Sequence, residues 1–453
     1  IQTPMMSTMS NTALTEPGAD AADSLQQAMQ AHGAGRLDDA GALYQAVLAA
    51  NPDHADALHL SGVLQAQRGQ HEQAAELISR AIAQNPAEAM FHNNLGNVHM
   101  ERGLYAGAEA CYQRALELDA DRLDALNNLG VLWSTGSRPD DAEKALRHVM
   151  QQAPDFVDAR QNLVNHCLRV GRVVEAVQLC CDGLIVAPRH AGMRYLLGMA
   201  YSLMGRNDEA IAVYRAWLEA EPGNVRALFH LAGCTGVDVP ERAPDDYVKR
   251  VFDNFASSFD AKLAALSYQA PAQVTAAVAR HAGAPAKALR VLDAGCGTGL
   301  CGPLLAPFAR HLTGVDLSEG MLRNALAGGF YDTLLVGDLL AFLELRTAGF
   351  ELIASADTLC YFGALEAFAA AARRALPADG LLCFTVEAHD DVEALPPYRL
   401  QPNGRYSHRR TYVERVLAGA GLSIIENLPV VLRTEAGVPV QGWLVTARAT
   451  GPC

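Results

Sequence analysis

The sequence predicts two architectures in tandem: an all-α solenoid of six helix pairs plus a capping helix, then an α/β domain on a mostly parallel sheet. Three observations predict it. A 34-residue period fills the first half, strand-like and helix-like segments alternate from Leu289 onward, and a glycine-rich turn follows the first of those strands.

The bulk numbers agree. A chain of 453 residues exceeds the roughly 250–300 residues at which single cores stop growing. Half of it is apolar and 19% is charged, a globular composition. The formal charge of −14 argues against nucleic acid as the main partner, because phosphate binding needs a basic footprint. No apolar run reaches the ~18 residues of a membrane span. Residues 1–20 are small and polar, lack the apolar stretch of a signal peptide, and read as a disordered tail. Ten cysteines without a CxxC pair give neither a zinc pattern nor a disulfide scaffold. They suit a reduced, cytoplasmic protein. No metal site is expected, since His92, His99 and His166 share no repeat column.

The first half is justified column by column. Proline recurs at 52, 86, 154, 188 and 222, with Ala120 in the missing slot. Small residues recur at Ala40, Ala74, Ala108, Ala142, Ala176 and Ala210, and again at Ala28, Gly62, Gly96, Gly130, Val164 and Gly198. Bulky residues answer them at Tyr44, Ile78, Tyr112, Leu146, Cys180 and Tyr214. A small residue on each helix of a pair permits close approach, the bulky one fills the space beside it, and proline ends the second helix. No unit buries its face alone, so stacking supplies the core. This pattern resembles the tetratricopeptide repeat over about residues 21–222, with 224–232 as the cap. The resemblance implies a solenoid, 21–234, that binds a peptide or protein. Asn94, Asn128 and Asn162 form one column on the first helices, and Asn93, Asn97, Asn127 and Asn165 neighbour it. An amide carries donor and acceptor together and can pair with an extended peptide unit. The column is similar to the ladder lining the peptide groove of O-GlcNAc transferases.

Residues 235–246 hold two prolines, a glycine and several charges, and read as a linker. The aromatics Tyr247, Phe252, Phe255 and Phe259 that follow fall near helical spacing. Then comes VLDAGCGTG, Val291–Gly299. Gly295, Gly297 and Gly299 leave a strand and allow a ligand to approach the backbone closely. Nicotinamide sites place the third glycine one residue later, and here the acid Asp293 precedes the turn. That suits a cationic ligand without phosphates. Asp316 and Asp338 end the next two strands, where they can accept from ribose hydroxyls and from an adenine amine, with Met321 one turn beyond Asp316.

Residues 247–453 thus resemble a class I S-adenosylmethionine-dependent methyltransferase, and the whole chain resembles bacterial methyltransferases fused to tetratricopeptide repeats. FDNFASSFD, ADTLCYFGAL, FTVE and GRYSH carry that wider likeness. The resemblance implies a Rossmann-like fold and S-adenosylmethionine as cofactor, leaving as S-adenosylhomocysteine. Its cofactor contacts fall on Asp293, Gly295, Gly297, Thr298, Gly299, Asp316, Leu317, Met321, Asp338, Leu339 and Asp357, under a lid of Tyr247, Phe252, Phe255 and Tyr268. A doubly wound sheet holds its pocket beyond the carboxyl ends of its strands, and Arg405 and Tyr406, in the loop before the next helix, are expected near the acceptor there. Three side chains are candidates for the chemistry: Glu387 to hold a cationic nitrogen, His408 to deprotonate a hydroxyl or align a carboxylate, and Tyr361 to orient either. The expected function is methyl transfer to a peptide or protein recruited by the repeats. Its rivals are a small-molecule methyltransferase with the solenoid as scaffold or oligomerisation module, and a non-catalytic cofactor-binding adaptor. No nucleic acid or membrane partner is expected.

Overall fold

The computed structural model describes residues 17–136, 138–256, 259–435 and 437–451. The chain divides into two compact units, Ile1–Val149 and Met150–Cys453.

The first unit is helical. Its helices are α1 (Pro17–Gly33), α2 (Leu37–Ala50), α3 (Ala55–Gln67), α4 (His71–Gln84), α5 (Ala89–Glu101), α6 (Tyr105–Leu118) and α7 (Leu123–Thr135). The division falls within α8 (Pro139–Gln152). Helix α1 starts inside the segment expected to be a tail, and residues 1–16 lie outside the described residues. Close approach within a pair works as the columns imply. A Cβ on Gly96 would come within 2.5 Å of the Tyr112 ring. Gly69 and Gly103 turn the chain between helices at φ +74° and +70°, a region that penalises any side chain.

The second unit begins with four more repeat helices, α9 (Val157–Arg169), α10 (Val173–Val186), α11 (Ala191–Leu203) and α12 (Asn207–Ala220), and the cap α13 (Val225–Thr235). The helices α14 (Asp245–Phe255), α15 (Phe259–Ala265) and α16 (Ala270–Ala282) lead into the sheet. Strands β1 (Leu289–Ala294), β2 (Ala309–Asp316), β3 (Thr333–Val336), β4 (Leu352–Ser355) and β5 (Leu381–Ala388) pair in parallel in the order β3-β2-β1-β4-β5. The closing hairpin, β8 (Leu422–Glu435) and β9 (Val438–Ala449), joins β5 antiparallel through β9. Helices α17 (Gly302–Leu305), α18 (Glu319–Gly328), α19 (Leu339–Glu344), α20 (Glu366–Ala375) and α21 (Arg410–Gly419) complete the crossovers. Leu343, Phe368 and Val413 from α19, α20 and α21 bury one face with Ile353 and Phe384. Val274, Val278 and Leu305 from α16 and α17 bury the other with Val291 and Leu352. Strand β4 therefore sends Leu352 and Ile353 to opposite faces, as its pleat requires.

The stretch LCGPLLAPFAR holds the single helical turn α17, because β2 already starts at Ala309. Two three-residue strands, β6 (Tyr398–Leu400) and β7 (Tyr406–His408), extend the end of β5, and a run that short has no period to read. No helix among the described residues is long and apolar enough to cross a membrane.

Replacing Gly198, whose Cβ would sit 2.4 Å from the Tyr214 ring, tests the packing columns. Gly198→Ala should destabilise by about 1–3 kcal/mol. Gly223→Ala, where nothing lies within 4 Å, should stay within about 0.5 kcal/mol. Thermal unfolding of the two variants checks the contrast.

Candidate active site

Parallel pairing puts the carboxyl ends of β1 to β5 on one edge of the sheet, where an α/β fold holds its ligands. A cavity of about 230 Å³ lies there. Gly295 and Gly297 form part of its wall at φ +74° and +55°. A Cβ on Gly295 would strike Thr358 Oγ1 at 2.2 Å, so the turn after β1 and the loop after β4 can meet only without a side chain. Asp316 closes the end of β2. Its Oδ2 accepts the Gly297 N–H at 2.9 Å and its Oδ1 accepts the Ser318 N–H at 2.8 Å. Burial raises its carboxyl above the ordinary range, with these amides pulling the other way. Each oxygen keeps a lone pair for a further donor. Asp338 caps α19 through the Ala341 N–H at 2.9 Å and accepts from Arg242 at 2.6 Å. Leu317 and Leu339 line the cavity beside these acids, and Thr298 donates to Asp260 at 2.5 Å.

Four expected contacts stand elsewhere. Met321 is buried in α18, where its N–H is capped by Ser318. Asp293 is buried behind the turn, accepts from the Tyr331 hydroxyl at 2.7 Å, and leaves Oδ1 without a partner among the described residues. It therefore does not face the cavity as a counter-ion, and burial pushes its carboxyl up to about 7. Gly299 packs against Tyr331 and Ala325. Of the lid, Phe252 and Tyr268 line the cavity, and Phe252 meets Tyr361 edge-on at 5.4 Å. Tyr247 instead packs on Phe229 of α13 at 4.8 Å, and the Phe255 side chain lies outside what the structure describes.

The expected acceptor residues are rearranged by one buried charge cluster. Arg433 of β8 bonds Asp357, Glu387 and Glu435. Arg405 bonds Glu387 through Nε at 2.6 Å and Glu435 through Nη2 at 2.7 Å. Glu387 is thus consumed by two guanidiniums and lies outside the cavity lining, so it is not free to hold a cationic nitrogen. His408 is fully buried, bonds the Gly363 carbonyl through Nε2 at 3.1 Å, and burial lowers its imidazole to about 4. It too stands outside the lining and is no base there. The Tyr406 hydroxyl donates to Pro240 O at 2.7 Å, which makes it a strut and not an acceptor contact. Tyr361, Asp357 and Arg405 do line the cavity. Burial raises the Asp357 carboxyl while Arg433 opposes the rise. Asp357, Cys360 and Glu387 bring ligand-type atoms within 4.8 Å of one another, but Arg433 already supplies the positive charge a metal would bring.

The sequence reading missed Arg242, Asp245, Arg433 and Glu435, all in the wall. Arg242 and Asp245 belong to the segment taken for a linker. That segment is pinned: Gly363 and Ala364 donate to Glu241 O at 2.7 and 2.8 Å, and Ala243 donates to Tyr361 O at 2.8 Å.

In the first unit, Asn93 and Asn127 are buried. Asn128 Nδ2 donates to Asn93 Oδ1 at 3.1 Å and to Asn97 Oδ1 at 2.9 Å, and Asn94 meets His59 at 2.8 Å. The amides thus link consecutive repeats to one another. In the second unit, Asn162 is half-buried and Asn165 exposed on α9.

Comparison with known proteins agrees with both architectures. Residues 292–384 match the methyltransferase domain family. Residues 31–96 match the tetratricopeptide repeat, and 67–215 match the middle TPR-like domain of cilia and flagella-associated protein 70. Human methyltransferase-like protein 27 is 38% identical over 84 residues, 18% of this chain and 34% of that protein. The chain thus spans about a third of that relative's length. Among solved structures, pilF of Pseudomonas aeruginosa is 17% identical, with a TM-score of 0.41, over 47% of this chain and 96% of its own. An O-GlcNAc transferase mutant of Thermobaculum terrenum is 30% identical, with a TM-score of 0.30, over 31% and 27%. The chain carries a tetratricopeptide-repeat array followed by a methyltransferase domain.

Asp293 gives a pH test. Its folded pKa of about 7 lies above the ordinary aspartate value of 3.8, so the folded state binds the extra proton between those limits. Its contribution is fully present below about 4 and is lost as pH rises through about 7. Thermal unfolding of Asp293→Asn between pH 4 and 8 should show a smaller loss of stability with rising pH than the parent chain.

Proposed function

We propose that the sheet domain transfers a methyl group from S-adenosylmethionine, and that the repeats recruit a peptide or protein acceptor. The convergence on one cavity of the Gly295–Gly297 turn, Asp316 and Asp338 carries this reading. These residues suit a nucleoside with a cationic tail: Asp316 has lone pairs for two sugar hydroxyls, Asp338 can accept from a base amine, and Leu317 and Leu339 offer apolar surface. When bound, the cofactor supplies a methyl carbon activated by the positive sulfur. The protein's part is to hold a nucleophile in line about 3 Å from that carbon and to exclude water. Phe252, Phe259 and Tyr268 supply an apolar, aromatic wall for the second task.

The amides of Asn94, Asn97 and Asn128 support the recruiting role, because each keeps hydrogen-bonding capacity beyond its contacts within the array. Nine free cysteines among the described residues support a reducing, cytoplasmic setting.

Calorimetry with S-adenosylhomocysteine tests the cofactor reading. The parent chain should release heat on binding, and Asp316→Ala should lose at least about tenfold in affinity, as expected for two hydrogen bonds to a charged group. No heat with the parent chain would sink it. Labelled S-adenosylmethionine with a size-fractionated lysate then finds the acceptor. If it is a protein, Asn94→Ala with Asn128→Ala should raise KM severalfold and leave cofactor affinity unchanged; an unchanged KM would remove the recruiting role.

A further inference from the structure

The charged end of the cavity has a chemistry of its own, and this inference rests on the methyl-transfer reading. Three carboxylates, Asp357, Glu387 and Glu435, surround two guanidiniums, Arg405 and Arg433. Arg433 is 4% exposed and spends each nitrogen on a different carboxylate. Arg405 spends Nε on Glu387 and Nη2 on Glu435. Its Nη1, with two N–H donors, has no hydrogen-bond partner among the described residues. The Tyr361 hydroxyl has none either, and burial keeps it protonated and able to donate. Tyr361 and Arg405 both line the cavity and lie close enough to act on each other's charge.

Glu435 is the most exposed member. Its side chain is 35% exposed, against 7% for Glu387, and it is the last residue of β8. Turning it out to water would leave Arg405 Nη1 and Nη2 side by side, the planar fork that a carboxylate fits. It would also remove the single surplus negative charge of the cluster. An incoming carboxylate would then take over a place that a carboxylate already holds.

We propose that Arg405, with Tyr361 beside it, is a carboxylate-binding subsite of this cavity, and that Glu435 occupies it as an intramolecular competitor. Two sources offer the group: the methionine carboxylate of the cofactor, and a carboxylate on the acceptor.

The full-length chain is titrated with S-adenosylhomocysteine and with methylthioadenosine, which keeps the nucleoside and thioether but lacks the amino-acid portion. Acetate is titrated into the chain with and without S-adenosylhomocysteine, followed by ligand-observed NMR where binding is weak. Arg405→Gln should weaken the carboxylate ligand by about tenfold or more and leave methylthioadenosine unchanged, which also shows that the variant is folded. Glu435→Gln should tighten the same ligand severalfold. These opposite signs in the S-adenosylhomocysteine arm assign the subsite to the cofactor; in the acetate arm with S-adenosylhomocysteine already bound they assign it to the acceptor. A purely structural role for Arg405 would make both variants weaken every ligand alike, and that result overturns the subsite. So do unchanged affinities in both arms. If the parent chain binds neither nucleoside, the methyl-transfer reading falls, while acetate added to the ligand-free chain still decides the subsite.

Discussion

The site depends on the parallel register of β1 between β2 and β4. Asp293 lies opposite Gly314 on one side and Ala354 on the other. That register sets the turn of Gly295 and Gly297 between the two loops it must touch. On the β2 side, Asp316 ties its carboxylate to the Gly297 amide; on the β4 side, Thr358 donates to the Gly295 carbonyl at 3.1 Å. A slip of one residue would reverse every side chain and separate these partners. The cavity is therefore a consequence of strand pairing, and the apolar faces that bury Val291, Ile353 and Leu352 are what keep the pairing in place.

Much of this was legible because it is periodic or conformationally demanding. The repeat columns state their own spacing, and residues such as Gly96 and Gly198 tolerate no side chain against Tyr112 and Tyr214. Asp316 and Asp338 follow short apolar strands and so announce strand ends. What stayed hidden is contact made across long sequence separations. Arg242 reaches Asp338, and Arg433 reaches Asp357 and Glu387, over 96, 76 and 46 residues. Nothing in the local pattern of a polar loop or a closing hairpin marks such a residue. His408 and Glu387 misled for the same reason: both residue types suit chemistry, but β7 pairs in parallel with the end of β5 and draws His408 inside, while two arginines claim Glu387.

The cap helix α13 shows how far the second unit is built around the site. His230 bonds Pro402 O at 2.9 Å, and a Cβ on Gly233 would come within 2.8 Å of Gln401 O. A Cβ on Gly404 would meet the Tyr247 hydroxyl at 2.5 Å. The loop that carries Arg405 is therefore clamped between α13 and α14, with Gly404 at φ +85° making the tight approach possible. Tyr247 and Tyr406 serve as the packing of that clamp, and their aromatic bulk fixes the backbone from which Arg405 reaches the cavity.

The charge cluster is where the fold departs from the cheapest solution. Taking charged groups out of water costs several kcal/mol each, and well-packed apolar residues in place of a buried ion pair are often neutral or stabilising. A β8 chosen only for stability would carry an apolar residue at 433, as it does at Leu432. Removing one partner alone is a different matter, because it strands the remaining charges, at a cost of about 3–5 kcal/mol. The cluster therefore stands or falls as a unit, and its position decides its meaning. Glu387 and Arg433 are 7% and 4% exposed, while Arg405 and Glu435 are 20% and 35% exposed. A purely structural network has no need of that gradient from buried to exposed members. A ligand-exchange site does: the buried pair fixes the guanidinium planes, and the most exposed carboxylate can give up its place without leaving an unpaired buried charge behind.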